Sequence, residues 1–174
     1  MPDSFILRDW QNFYMLAGTA SATLIGLIFI AISFGARLVP TQAESAVRAF
    51  VVPPVIHFGI VLGLSILMLI PTYTALLLSG VLAVVGVIGI AYAVGVLRQL
   101  LLHHRQEKAL NLHHWSWHLL LPLLGYFVIF ASGPCLLFGL SWFLNVLALA
   151  VAGLIVIGLR NAFDLMMWIA RQPG

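Results

Sequence analysis

The chain has 174 residues, of which 63% are hydrophobic and 7% are charged, and its eight Lys/Arg and five Asp/Glu give a net charge of +3. Soluble domains contain roughly 25% charged residues, so this composition excludes a soluble globular protein. So few basic residues also argue against a nucleic-acid-binding surface. At about 20 residues per crossing, we expect four or five membrane-spanning helices in a single domain, with the lipid bilayer as its surroundings.

Apolar runs and the residues that interrupt them predict an all-α, polytopic transmembrane bundle of five helices. Pro71 cannot continue a helix, so it separates the second run from the third. The polar connector 98–118 separates the third run from the fourth, and the short segment 139–141 separates the fourth from the fifth. The predicted spans are about 13–35, 46–70, 74–97, 119–138 and 142–159.

The distribution of charge predicts the orientation of the chain. With five spans, Arg8 lies on one side of the membrane and the other Lys and Arg residues all lie on the opposite side. Because the side richer in Lys and Arg faces the cytoplasm, we expect the N-terminus outside and the C-terminus inside. The positions of the tryptophans support this arrangement of five spans, since all of them fall at predicted membrane–water interfaces, where amphipathic rings are favoured.

Small residues recur along the first span. Gly18, Ala22 and Gly26 are spaced four residues apart, and Thr19 and Thr23 lie one step further round the helix. Such spacing lets a neighbouring backbone approach closely. It is common at packing contacts within one chain, and it also suits a subunit interface or a pore lining, so these interpretations stay open.

The second span combines a double proline, a histidine and two glycines. Pro53 and Pro54 remove two amide donors, which predicts a kink. His57 is the only histidine within the predicted spans, and Arg48, at the cytoplasmic end of the second span, is the only acidic or basic residue there. We expect either a neutral imidazole that is hydrogen-bonded in the core or a pore-lining, pH-sensing residue. Gly59 and Gly63 form a second small-residue face.

The connector contains five of the six histidines and no Gly or Pro. A helical hairpin that turns near Asn111 would bring His104 opposite His118, and His114 shares a helical face with His118 at i and i+4. His104, His114 and His118 therefore predict a zinc-like divalent metal site, with Glu107 as an additional ligand. The alternative is a hydrated interfacial histidine cluster that binds no metal. We expect no other cofactor.

The sequence lacks the residue patterns of an active site. No Asp, Glu, Lys or Arg residue lies in the hydrocarbon part of the predicted spans, since Arg48 is at the cytoplasmic end of the second span. Proton relays and ion-coupled carriers, in contrast, keep ionisable groups inside the membrane. The chain contains no nucleophile triad order, no phosphate-binding glycine loop and no H-E-x-x-H motif. We therefore expect that the protein is not an enzyme.

Two segments, GTASATLIGLIFIAISFG in the first span and GLRNAFD near the end, resemble a group of small uncharacterised bacterial integral membrane proteins with five spans. The resemblance implies a multi-pass protein of the bacterial inner, or plasma, membrane. It implies no activity and no functional residues.

Two functions are compatible with these patterns. The first is a homo-oligomeric channel or pore for ions or small solutes, in which Thr19 and Thr23, or His57, line a path that needs no charge inside the membrane. The alternative is a non-conducting membrane accessory or sensor protein whose histidine-rich connector binds a metal or a partner. In both cases we expect self-association through the small-residue faces.

Overall fold

The computed structural model describes residues 10–35, 44–70, 74–103, 120–140 and 142–170. Within these ranges the chain is all-α and contains no strand, which confirms the prediction of an all-α protein with five helices. The helices are α1 (Gln11–Gly35), α2 (Glu44–Leu69), α3 (Ala75–His103), α4 (Leu121–Leu137) and α5 (Phe143–Ala170).

Four of these helices are long and apolar enough to cross a membrane, which is typical of a multi-pass membrane protein. Their candidate spans are Gln11–Phe34, Val51–Leu69, Ala75–Arg98 and Phe143–Met167. The fourth helix in the chain, α4, is apolar but has only 17 residues. At 1.5 Å per residue it is about 26 Å long, which is at the lower limit for crossing a hydrocarbon core of about 30 Å.

Two helices continue beyond the predicted span ends. α3 extends past residue 97 to His103, so the first part of the connector is helical. α5 extends past residue 159 to Ala170 and therefore includes Arg160 and Asp164. The physical reason is that a change from apolar to polar residues marks a membrane boundary, whereas a loss of hydropathy does not by itself end a helix.

The turn between α4 and α5 lies where the sequence predicts it. Gly139 has a φ of 68°, the left-handed conformation that favours glycine. The Gly139 N–H donates to the carbonyl of Leu136 at 3.1 Å, and the Leu140 N–H donates to the carbonyl of Cys135 at 3.1 Å. These two bonds form a Schellman motif, which satisfies the last carbonyls of α4 and ends the helix.

Contacts among the described residues group the helices into two compact units. One unit contains α3, α4 and α5 as far as Gly153, and we call it the α3–α4 unit. The other contains α1, α2 and α5 from Leu154 onward, and we call it the α1–α2 unit.

Close contacts in the α3–α4 unit occur at glycines. A Cβ added to Gly86 would lie 2.6 Å from the Cα of Phe130, so this glycine lets the two backbones touch. Gly89 lies directly against the ring of Tyr126, which is fully buried. Small residues let membrane helices approach in this way, because lipid supplies no hydrophobic force to hold helices together.

α4 contributes a glycine of its own to the same contact. A Cβ on Gly133 would lie 2.7 Å from the carbonyl oxygen of Ser79. Residue numbers rise along α4 as they fall along α3 from one contact to the next, so the two helices are antiparallel neighbours.

The α1–α2 unit packs around two further glycines. A Cβ on Gly18 of α1 would lie 3.0 Å from the Cβ of Ser65 of α2, and a Cβ on Gly158 of α5 would lie 2.6 Å from the ring of Phe58. One buried hydrophobic cluster of this unit comprises Ile28, Phe58 and Ala162, and it is flanked by Leu24, Ile25, Ile32, Val51, Val55 and Ile155.

Candidate functional site

α1 has two faces of different chemistry. The buried face includes Tyr14, Ala17, Gly18, Ser21 and Ile28. The opposite face is exposed and presents large apolar side chains such as Leu16 and Phe34 together with a set of small and hydroxyl-bearing residues. We call this set the α1 stripe: Thr19, Ala22, Thr23, Gly26 and Ser33.

The structure divides the small-residue face that the sequence predicts on the first span. Gly18 contacts α2, whereas Ala22 and Gly26 are exposed, and a Cβ on Gly26 would meet no atom within 4 Å. The reason is geometric, because a spacing of four residues advances about 40° round an α-helix at each step. Two such steps move the series from the buried face of α1 to its exposed face.

The hydroxyls of the α1 stripe donate within their own helix. The Oγ1 of Thr19 donates to the carbonyl of Met15 at 2.8 Å, and the Oγ1 of Thr23 donates to the carbonyl of Thr19 at 2.9 Å. The Oγ of Ser33 donates in the same way to Phe29 at 2.8 Å. Their protons are therefore used, and the oxygen lone pairs face outward as hydrogen-bond acceptors.

The predicted residues of the second span separate in the same manner. Gly59 and Gly63 are exposed, and a Cβ on either would meet no atom within 4 Å. His57 is only 2% exposed and lies beside Phe58, which is completely buried. The imidazole therefore lies inside the protein and not on the face that presents the two glycines.

The predicted metal ligands His104, His114 and His118 lie outside the described residues. Among the residues that are described, no group of three or more His, Cys, Asp or Glu side chains could hold a metal ion. α3 ends at His103, directly before the first of the three histidines. The zinc-like site stays a prediction.

The structure also contains a group of four buried polar residues. Within the described part of the chain, the hydroxyls of Tyr14, Ser21 and Ser65 and the Oδ1 of Asn161 have no hydrogen-bond partner. All four belong to the α1–α2 unit. The sequence spacing relates two of them, because Tyr14 and Ser21 are seven residues apart and therefore share a helical face.

No protein-family model, curated protein or solved structure matches this chain. The resemblance of the two segments to small bacterial membrane proteins therefore stays a prediction. The function has to be argued from the chemistry of the chain itself.

Proposed function

We propose that the chain is a multi-pass protein of the bacterial inner membrane, with the N-terminus outside and the C-terminus inside, that assembles into a homo-oligomeric pore for small solutes or ions. The observation that supports this proposal is the exposed α1 stripe on a helix long and apolar enough to span a membrane.

The α1 stripe differs from the large apolar side chains, among them Leu16 and Phe34, that are exposed elsewhere on the same helix. Large apolar side chains such as Leu76, Phe127 and Leu149 are exposed on α3, α4 and α5, as expected for contact with lipid. The stripe instead presents methyl groups, glycine hydrogens and hydroxyl oxygens. In lipid, such a surface favours contact with another helix, because small residues permit close packing. A second copy of the chain is the partner that we propose.

The two edges of the α1 stripe suit two different roles in an oligomer. Ala22 and Gly26 lie along one edge, where the neighbouring subunit would pack against the helix. Thr19 and Thr23 lie along the other edge, about 60° away from Ala22 and Gly26 on the helix. In a ring of subunits this second edge would face the axis and present hydroxyl oxygens to a permeating molecule. Since the stripe carries no charge, the pore would favour small neutral solutes or be weakly selective among ions.

Liposome flux and oligomeric state test the proposal together. The purified chain is expected to form a symmetric oligomer in detergent and in lipid and to make liposomes permeable to a small solute. Thr19→Val preserves the shape of the side chain but removes its hydroxyl, so we expect an intact oligomer with reduced flux. Thr19→Ser keeps the hydroxyl and serves as the matched control with preserved flux. A protein that is monomeric in detergent and in lipid, and that leaves liposomes impermeable to the solute, would overturn the proposal.

A non-conducting accessory or sensor protein is the second candidate. It is supported by the extension of α3 beyond the predicted span end to His103, because this extension continues the helix into the histidine-rich connector. In that case the connector would bind a metal or a partner protein, and purified oligomers would leave liposomes impermeable.

A further inference from the structure

Ser21 and Ser65 differ from the other span hydroxyls whose hydrogen bonds are described. The hydroxyls of Thr19, Thr23 and Ser132 each donate to the carbonyl four residues earlier in their own helix. This is the ordinary arrangement of Ser and Thr in apolar helices. Ser21 and Ser65 are completely or almost completely buried, and their hydroxyls have no partner among the described residues.

These two serines and Tyr14 lie along one helix contact. Gly18 brings α1 against Ser65 of α2, which fixes the level of Ser65 along α1. Along the helix axis, Tyr14 lies about 6 Å to one side of Gly18 and Ser21 lies about 4.5 Å to the other side. The Tyr14 ring is held edge-on by Phe13, with centroids 5.1 Å apart. The backbone positions of Tyr14, Ser21 and Ser65 therefore lie within about 10 Å of one another along the axis of α1.

A buried hydroxyl without a partner is unfavourable, because it has lost its hydrogen bonds to water. Native proteins satisfy such groups with protein atoms or with ordered water. Each hydroxyl can both donate and accept a hydrogen bond, so it is fully satisfied by a partner that also does both, as water does in buried sites. This partner should also be neutral, since 11–34 of α1 and 51–69 of α2 contain no Asp, Glu, Lys or Arg and an unpaired ion there would be costly.

We propose that the hydroxyls of Tyr14, Ser21 and Ser65 form a binding site for water between α1 and α2, inside a single protomer. Tyr14 lies about 4.5 Å along the axis from the first residue of α1, and Ser21 lies about 15 Å along it. The site therefore extends from near one end of the helix toward the middle of the membrane. It lies on the face of α1 opposite the α1 stripe and does not rest on the proposed pore or on self-association.

Radiolytic hydroxyl labelling of the intact protein in lipid tests this site, because bound water is converted to hydroxyl radicals in place. We expect oxidation of Tyr14, read by mass spectrometry, to be several-fold faster than that of Tyr126, which is equally buried. The double variant Ser21→Ala/Ser65→Ala should slow oxidation of Tyr14 to the level of Tyr126. Ser132→Ala is the matched control and should leave the rate unchanged. Equal rates for the two tyrosines, or a Tyr14 rate unaffected by the double variant, would overturn the site.

Stability supplies a second readout if the double variant does not fold. Replacing a serine that holds water removes hydrogen bonds, so Ser65→Ala and Ser21→Ala alone should each lower the unfolding midpoint of the purified protein. A dry, unpaired hydroxyl behaves in the opposite way, because its removal relieves a desolvated polar group. A midpoint that is unchanged or raised in both single variants is therefore incompatible with bound water. Neither readout depends on flux or oligomeric state. The proposed water site and the proposed pore can therefore each be rejected independently of the other.

Discussion

Gly86 of α3 touches the backbone of Phe130 in α4, and a Cβ on this glycine would lie 2.6 Å from the Cα and the amide nitrogen of Phe130. Backbone atoms cannot move aside as a flexible side chain can. The separation of α3 and α4 is therefore set by the absence of a side chain at position 86.

Replacement of Gly86 by alanine should destabilise the protein. The added methyl group forces the two backbones apart, and overpacking of this kind costs about 1–3 kcal/mol. Gly80 of the same helix is the matched control, since a Cβ there meets no atom within 4 Å. Gly80→Ala should be neutral or stabilising by up to about 1 kcal/mol, because alanine is the better helix former. Equilibrium unfolding of both variants in mixed detergent measures the difference, and equal stabilities would contradict the contact.

Valine at two positions of α1 should separate folding from self-association. Gly18 faces Ser65 at close range, so Gly18→Val should lower the free energy of unfolding by about 1–3 kcal/mol. A Cβ on Gly26 would meet no atom of the same chain within 4 Å, so Gly26→Val should leave the fold of the protomer intact. The same substitution fills the α1 stripe, and we expect it to weaken the oligomer. Unfolding and size-exclusion measurements on both variants check this; a Gly26→Val oligomer as stable as the original would place the subunit contact elsewhere.

The turn after α4 should be sensitive to the identity of residue 139. Gly139 adopts the left-handed conformation, with a φ of 68°, and an ordinary L-residue there costs about 1–2 kcal/mol. Gly139→Ala should therefore reduce the free energy of unfolding by that amount. Gly139→Asn should cost less, because asparagine is the next most frequent residue at this helix-terminal position. The order glycine, asparagine, alanine in an unfolding series is the expected result, and any other order would argue against the Schellman motif.

The connector histidines should bind a divalent metal if the predicted site exists. Protein purified without a chelator is expected to contain zinc by elemental analysis, and replacement of His104, His114 and His118 by alanine should lower the zinc affinity. His103→Ala is the matched control, because this neighbouring histidine is not among the predicted ligands. A metal-free preparation whose zinc affinity is unaffected by the triple replacement would rule out the site.

Helix positions could be read from the sequence because they depend on local properties. Apolar runs mark the five helices, and Gly139 marks the turn that separates α4 from α5. α3 and α5 continue past the predicted span ends at 97 and 159, since the loss of hydropathy at Arg98 and Arg160 does not stop a helix. Local signals thus locate a membrane helix better than they locate its ends.

The close contacts could not be read from the sequence in the same way. The spacing of Gly18, Ala22 and Gly26 predicts one face, but only Gly18 faces a neighbouring helix in the protomer. The contacts of Gly86 and Gly133 follow no spacing that stands out, because they depend on the register between α3 and α4. Register results from the packing of two complete helices, so it appears only in the tertiary structure.

The sequence by itself determined the class of the protein, the number of helices and their approximate positions, because composition and helix breakers act residue by residue. Only the tertiary structure decided which side of each helix lies inside. Ser21 is buried whereas Thr23, two residues later, is exposed. Nearly uniform apolar helices carry little amphipathic signal, since lipid and protein interior are similarly apolar surroundings. The inner face is therefore selected by shape, through glycines such as Gly18 that allow one particular contact.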